Sequence, residues 1–124
     1  MLNFSITIKT GTPIYGQVIY AVKKAIVSGQ LRPGDPFPSV RELGRELNIN
    51  PNTARKIVSY LAQTGMLEIK PGIGSVIHGY GDAKPGYRQI ILGQEIEKIV
   101  VEAKRAGIEK KDVIQAFNHH WEKA

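Results

Sequence analysis

Apolar residues recur every three or four positions over three stretches of the chain before residue 66 and two after residue 89, and the intervals alternate or break on proline and glycine. Phe4, Ile6 and Ile8 alternate with polar neighbours, which predicts a short strand over NFSITIK. Thr12-Pro13 opens a first helix, since threonine caps free amides and proline tolerates the first turn. Ile14, Val18, Val22 and Ile26 then recur every four residues, widened by Tyr15, Ile19 and Ala25, until Ser28-Gly29 stops the pattern. The following LRPGDPFP is too rich in proline to be helical and reads as an extended, stiff connector.

Ser39-Val40-Arg41-Glu42 has the spacing of a capping box and starts a short second helix with Val40, Leu43 and Leu47 on its apolar side. Asn48 suits a left-handed stop. Asn50 caps again and Pro51 takes the first position of a third helix, whose buried face is Ala54, Ile57, Val58, Leu61 and Ala62, ending near Gly65. Met66-Leu67-Glu68-Ile69-Lys70 and Ser75-Val76-Ile77-His78 are short alternating runs around a glycine-rich tip, hence a hairpin. Helix, helix, tight turn, helix and hairpin is the order of a winged helix-turn-helix.

Residues 79–86 hold three glycines, a proline and an aspartate, which marks a boundary. Beyond it Ile91, Glu95, Ile96, Ile99, Val100 and Ala103 predict one helix, Gly107 breaks it, and Val113, Ile114, Phe117 and Trp121 predict another. Two such helices, roughly 35 residues, are too short to bury a core alone. A second copy is the simplest cover, with Ile91, Ile96, Ile99, Val100, Ile114, Phe117 and Trp121 forming the seam of a four-helix homodimer. The expected fold class is therefore mainly α with a small β-hairpin: a winged helix-turn-helix at residues 1–78, a linker at 79–88 and a C-terminal α-helical hairpin for dimerisation at 89–124.

Charge sharpens this picture. Of the net +6, residues 1–78 carry +5, from nine Lys and Arg against four Asp and Glu, so the excess sits with the helix-turn-helix and points to a polyanion. The longest unbroken apolar run is Val18 to Val22, no export signal is visible, and cysteine is absent, which together fit a cytoplasmic protein with no membrane partner. If the third helix buries its apolar side, Asn52, Thr53, Arg55, Lys56 and Ser59 face outward. Asn50, Asn52 and Thr53 then form a phosphate-seeking helix end, and the Arg55 fork can reach guanine O6 and N7 in a major groove. Arg41 can contact phosphate from the second helix, while Lys70 with Gly72 and Gly74 would let backbone approach phosphate or a minor groove. The plainer alternatives are an Arg41 paired with its acidic neighbours, a solvated Arg55-Lys56 face and an ordinary hairpin turn.

The segments PIYGQV, LRPGDPFPSVREL, INPNTARKIVSYLAQTGMLE and KPGIGSVI, in this order, resemble the DNA-binding domain of GntR-family bacterial transcription regulators over residues 12–78. The two-helix tail resembles the YtrA-type subfamily, whose members lack larger ligand-binding domains. The resemblance implies a dimeric regulator, usually a repressor, that binds a double-stranded operator. It also implies DNA contacts at Arg41, at Asn50, Asn52, Thr53 and Arg55, and around Lys70 and Gly72. Two departures stand out: Pro71 where an arginine or histidine is common, and Glu109 where relatives often have a serine cap.

No catalytic constellation is visible and no cofactor is expected. His119 and His120 are adjacent on a helix, where side chains diverge too far to chelate one metal ion. Gly72-Ile73-Gly74 lacks the rest of a dinucleotide fingerprint. Phe117 and Trp121 could line a small-molecule pocket, but packing in the dimer is the simpler role. The rival from another class is a winged-helix module whose basic face binds an acidic protein partner.

Overall fold

The computed structural model describes residues 2–80 and 85–124, and the chain divides into two units, Met1–Asp82 and Ala83–Ala124. The expected linker at residues 79–88 includes 81–84, which lie outside the described residues.

In the first unit, α1 (Ile14–Ser28) turns Val18, Ile19, Val22, Ala25 and Ile26 inward, as a four-residue repeat must. Gly29 ends it in the left-handed region at φ 84, its amide bonded back to the Ile26 carbonyl. The start differs from expectation. Pro13 is itself the N-cap, and no side chain caps this helix. The Thr12 carbonyl accepts from Gln17 Nε2 at 3.0 Å, a contact that caps no helix amide.

The strand expected over residues 3–9 does not form, and among the described residues no strand pairs with it. Side chains satisfy the segment: Gln17 Oε1 accepts from the Lys9 amide, Gln17 Nε2 donates to the Lys9 carbonyl, and Gln30 Nε2 donates to Ser5 Oγ. Phe4 stacks on Phe37 with ring centroids 5.7 Å apart, so the alternation reflects packing on the core rather than sheet pairing.

α2 (Val40–Leu47) carries the full capping box: the Glu42 amide donates to Ser39 Oγ at 3.1 Å and the Ser39 amide to Glu42 Oε1 at 3.2 Å. Asn48, at φ 53, is the one non-glycine with positive φ among the described residues, and it breaks the chain between α2 and α3 (Pro51–Gln63). The two helices pack closely at the buried Gly44, where a Cβ would lie in ordinary contact, 3.8 Å from that of Ala54.

The connector also contributes a strand that its composition conceals. β1 (Pro36–Phe37) pairs antiparallel with β3 (Gly74–Ile77), which pairs antiparallel with β2 (Leu67–Lys70), giving a three-stranded sheet rather than a bare hairpin. Proline is tolerated because β1 is an edge strand, where its missing N–H disrupts no ladder. Leu31, Leu43, Ile57, Leu61 and Ile77, each at most 1% exposed, close the core with Val18 and Val22. Burying each such side chain contributes about 1.5–3 kcal/mol.

In the second unit α4 (Tyr87–Gln89) starts within the residues expected as linker and runs into a π-helical segment (Ile90–Glu95) and then α5 (Ile96–Arg105). Gly93 lies in the widened turns, where a weak helix former tolerates the altered winding. Gly107, at φ 74, reverses the chain into α6 (Lys110–Lys123). Glu109 stands at the N-cap without capping; its carboxylate lies 3.5 Å from Lys111 Nζ. An apolar cleft of about 700 Å³ opens between α5 and α6, lined among others by Ile99, Ala103, Ile108, Val113 and Phe117. Among the described residues of this unit only Ala103 is buried. Ile91, Ile99, Val100, Ile114, Phe117 and Trp121 are exposed, Trp121 most of all at 83%, and Ile96 is half-buried. No described helix is long and apolar enough to cross a membrane.

Candidate nucleic-acid interface

The front end of α3 is built by two local devices. Asn50 Oδ1 accepts from the Asn52 amide at 2.7 Å, and Pro51 occupies the first helical position, where its missing N–H costs nothing. The Ala54 amide bonds to the Asn50 carbonyl at 3.1 Å. Thr53 therefore keeps the one first-turn amide without an acceptor among the described residues, at the positive end of the helix dipole.

Behind this end the helix divides cleanly. Ala54, Ile57, Val58 and Leu61 are 0–7% exposed, whereas Asn52, Arg55, Lys56 and Ser59 are exposed and Thr53 is half-buried. Arg55 Nη1 donates to Asn52 Oδ1 at 2.8 Å, one turn away. A guanidinium has five N–H donors, so this bond orients Arg55 and leaves four for a ligand.

Arg41 is exposed in the first turn of α2 and has no hydrogen bond or ion pair among the described residues, so the alternative of an intramolecular Arg41 pair is not what forms. Its neighbour Glu42 is instead committed to the capping box. The hydrogen bonds from Ser39, backbone first and hydroxyl second, hold that carboxyl below its ordinary range.

In the wing the Ile73 amide donates to the Lys70 carbonyl at 3.0 Å, with Pro71 second and Gly72, at φ 79, third in the turn. This is the pattern of a type II turn, in which the third residue must adopt positive φ. Lys70, Gly72 and Gly74 are all exposed there.

Two features escaped the sequence reading. Tyr60 on α3 meets Tyr15 of α1 edge to face at 6.1 Å, and Lys23 Nζ sits 5.7 Å from the Tyr60 ring centroid. A shallow groove of about 320 Å³ beside them is lined by Arg55, Lys56 and Ser59 as well as both tyrosines. The second is Ile73, 78% exposed at the wing tip. Tyr15 was expected on the apolar stripe of α1, whereas Tyr60 and Ile73 lay outside every expected apolar face.

The family profile described as bacterial regulatory proteins, gntR family, matches residues 14–77, just over half of the chain. The chain belongs to the GntR family. It is 31% identical over 116 residues to the HTH-type transcriptional repressor YtrA of Bacillus subtilis, covering 91% of this chain and 84% of that protein. A solved GntR family transcriptional regulator from Listeria monocytogenes is 28% identical with a TM-score of 0.64, covering 90% of this chain and 98% of its own. A transcriptional antiterminator from Listeria monocytogenes EGD-e shares the fold at a TM-score of 0.83 and 23% identity, over 95% of this chain and 90% of that one. The expected GntR membership and YtrA-type likeness hold, the latter over a span that includes the tail. So does the mainly helical winged helix-turn-helix with a small antiparallel sheet and a C-terminal helical pair. The relatives quoted are named as transcriptional regulators, not enzymes.

Proposed function

We propose that this GntR-family chain is a sequence-specific DNA-binding regulator, a cytoplasmic repressor that occupies an inverted-repeat operator as a homodimer. α3 enters the major groove and the wing lies alongside. The observation that carries this reading is the division of α3 into an underside no more than 7% exposed and a capped, cationic outer face. The Thr53 amide and the helix dipole attract a phosphate, and Lys56 adds a point charge beside it. Arg55, held by Asn52, offers its free N–H groups to guanine O6 and N7. Arg41 serves a phosphate from α2, and Gly72 and Gly74 let the wing backbone come close. Residues 1–78 are the DNA-binding part, 79–88 the linker and 89–124 the dimerisation part. Repression is the role named for the YtrA relative.

Selection from random duplexes at fixed salt tests the proposal. An inverted repeat is expected. Arg55→Ala should cost about 1–3 kcal/mol at one base pair of each half-site while nonspecific binding persists. A selection that returns no inverted repeat would favour a module whose basic face binds an acidic protein.

A further inference from the structure

We infer that the π-turn of the tail sets the phase of its self-association face, bringing Tyr87 and Ile91 into line with Ile96, Ile99, Val100 and Ala103 so that a second copy covers them together. The inference rests on the homodimer reading above and deepens it by naming what shapes the seam. The deciding observation is one hydrogen bond: the Ile96 amide, which also meets the Gly93 carbonyl, bonds to the carbonyl of Ile91, five residues back rather than four. Before the π-turn the winding is that of an α-helix, since the Ile90 amide bonds to the Gly86 carbonyl, four back, at 3.1 Å.

Helical geometry turns that bond into a choice of face. At about 100° per residue, Ile96, Ile99, Val100 and Ala103 share roughly 100° of arc on α5. Were the α-helix continued backwards, Leu92 would join that stripe, Ile91 would lie about 140° from Ile96, and Tyr87 would stand on the opposite side, about 180° away. A π-turn takes in one more residue, so neighbours five apart stack nearly as neighbours four apart do in an α-helix. Ile91 therefore comes under Ile96, and Tyr87, four residues before Ile91, follows it. Leu92 stays at the edge of the stripe, and Ile90 points away from it in either winding. The isolated helix gains nothing from this arrangement, because Tyr87, Ile90 and Ile91 are exposed alike, at 44%, 41% and 39%. Nor is the π-turn forced by crowding at Gly93, where an added Cβ would meet nothing within 4 Å. The alignment has value only when something covers the stripe.

A second copy is the occupant that the charges fit. Residues 79–124 hold eight Lys and Arg against seven Asp and Glu, a net of +1, so two like faces can meet without the repulsion that the +5 of residues 1–78 would bring. Lys98 with Glu95 at 3.3 Å and Arg105 with Glu102 at 3.0 Å place both signs along the same helix, which suits a twofold contact in which one patch faces itself. A strongly acidic or strongly basic partner would find no matching field there.

A glutamate scan of the full chain, read by sedimentation equilibrium, reports the phase. Tyr87→Glu and Ile91→Glu should each raise the dimer dissociation constant about tenfold or more, because each puts a carboxylate without a partner into an apolar seam. Ile90→Glu, at nearly the same exposure, should leave that constant within about twofold of wild type. Deleting Gly93 removes the extra residue and leaves Ile91 four positions from Ile96, so a plain α-helix keeps the same face. The deletion variant should remain dimeric with helicity, by circular dichroism, at or above that of wild type, and Ile91→Glu should still weaken it. A tight dimer of either Tyr87→Glu or Ile91→Glu, an Ile90→Glu as damaging as Ile91→Glu, or a Gly93 deletion that is fully helical yet monomeric would each overturn the inference and leave the homodimer standing. Should the deletion lose helicity, the three substitutions decide alone. A monomeric wild type would remove the homodimer reading and this inference with it. If that monomer bound phosphatidylglycerol vesicles and Ile91→Glu released it, the face would belong to a lipid surface.

Discussion

Ser39 and Glu42 satisfy each other's backbone at the start of α2, and hydrogen bonding to Ser39, its backbone amide first and its hydroxyl second, lowers the Glu42 pKa. The folded carboxyl holds its proton less tightly than the unfolded one. Its contribution is therefore fully present above the ordinary value of 4.5 and is lost as pH falls through the folded value. Ser39→Ala should destabilise by about 1 kcal/mol at neutral pH. The gap between wild type and variant should narrow slightly as pH falls below about 4.5, because Ser39→Ala keeps the backbone amide that mainly lowers the Glu42 pKa and loses only the smaller hydroxyl contribution. Urea titrations across that range measure it, and a gap that widens with acid would contradict the assignment. The box was legible in the sequence because every atom in it lies within four residues. The Asn52–Arg55 bond has the same locality. Ile73 was not legible in this way, since a hydrophobe between two glycines is equally compatible with a buried or an exposed tip until the fold places it.

At the scale of elements, helices with local start and stop signals were readable and pieces stabilised by distant partners were not. Asn50-Pro51 and Asn48 mark both sides of the turn between α2 and α3 through backbone geometry alone. β1 is two residues long, too short for any periodicity, and exists because β3 arrives from 38 to 40 positions later to accept it. Residues 3–9 show the converse, an alternating pattern without a partner strand. Their anchor is Gln17, which makes three bonds of 2.8, 2.9 and 3.0 Å to the backbone of Lys9 and Thr12. Gln17→Ala should leave the helical core intact yet release this segment, at a local cost of about 1–2 kcal/mol. Tryptic cleavage after Lys9 should accelerate about tenfold while global unfolding moves little. Equal cleavage rates in both proteins would mean that Phe4 packing, not Gln17, holds the segment.

For the whole molecule the decisive asymmetry is between a first unit with a closed core and a second whose described residues bury only Ala103. A helical pair in that state leaves Ile99, Val100, Ile114 and Phe117 in water at 41–48% exposure, which is unfavourable unless another surface covers them. The proposed homodimer provides that surface and joins two DNA-reading helices, so that the second half-site binds intramolecularly. Phe117→Glu tests this in the full chain. A carboxylate placed in an apolar seam must be desolvated without a partner, whereas at an exposed position of a monomer it costs almost nothing. Sedimentation should therefore show a wild-type dimer and a monomeric variant, with Phe117→Leu remaining dimeric. Operator affinity of the monomer should fall about 10²–10⁴-fold, while its affinity for an isolated half-site stays near that of wild type. A wild-type monomer, or a Phe117→Glu dimer with full operator affinity, would remove the tail from the mechanism and leave each α3 to find its half-site alone.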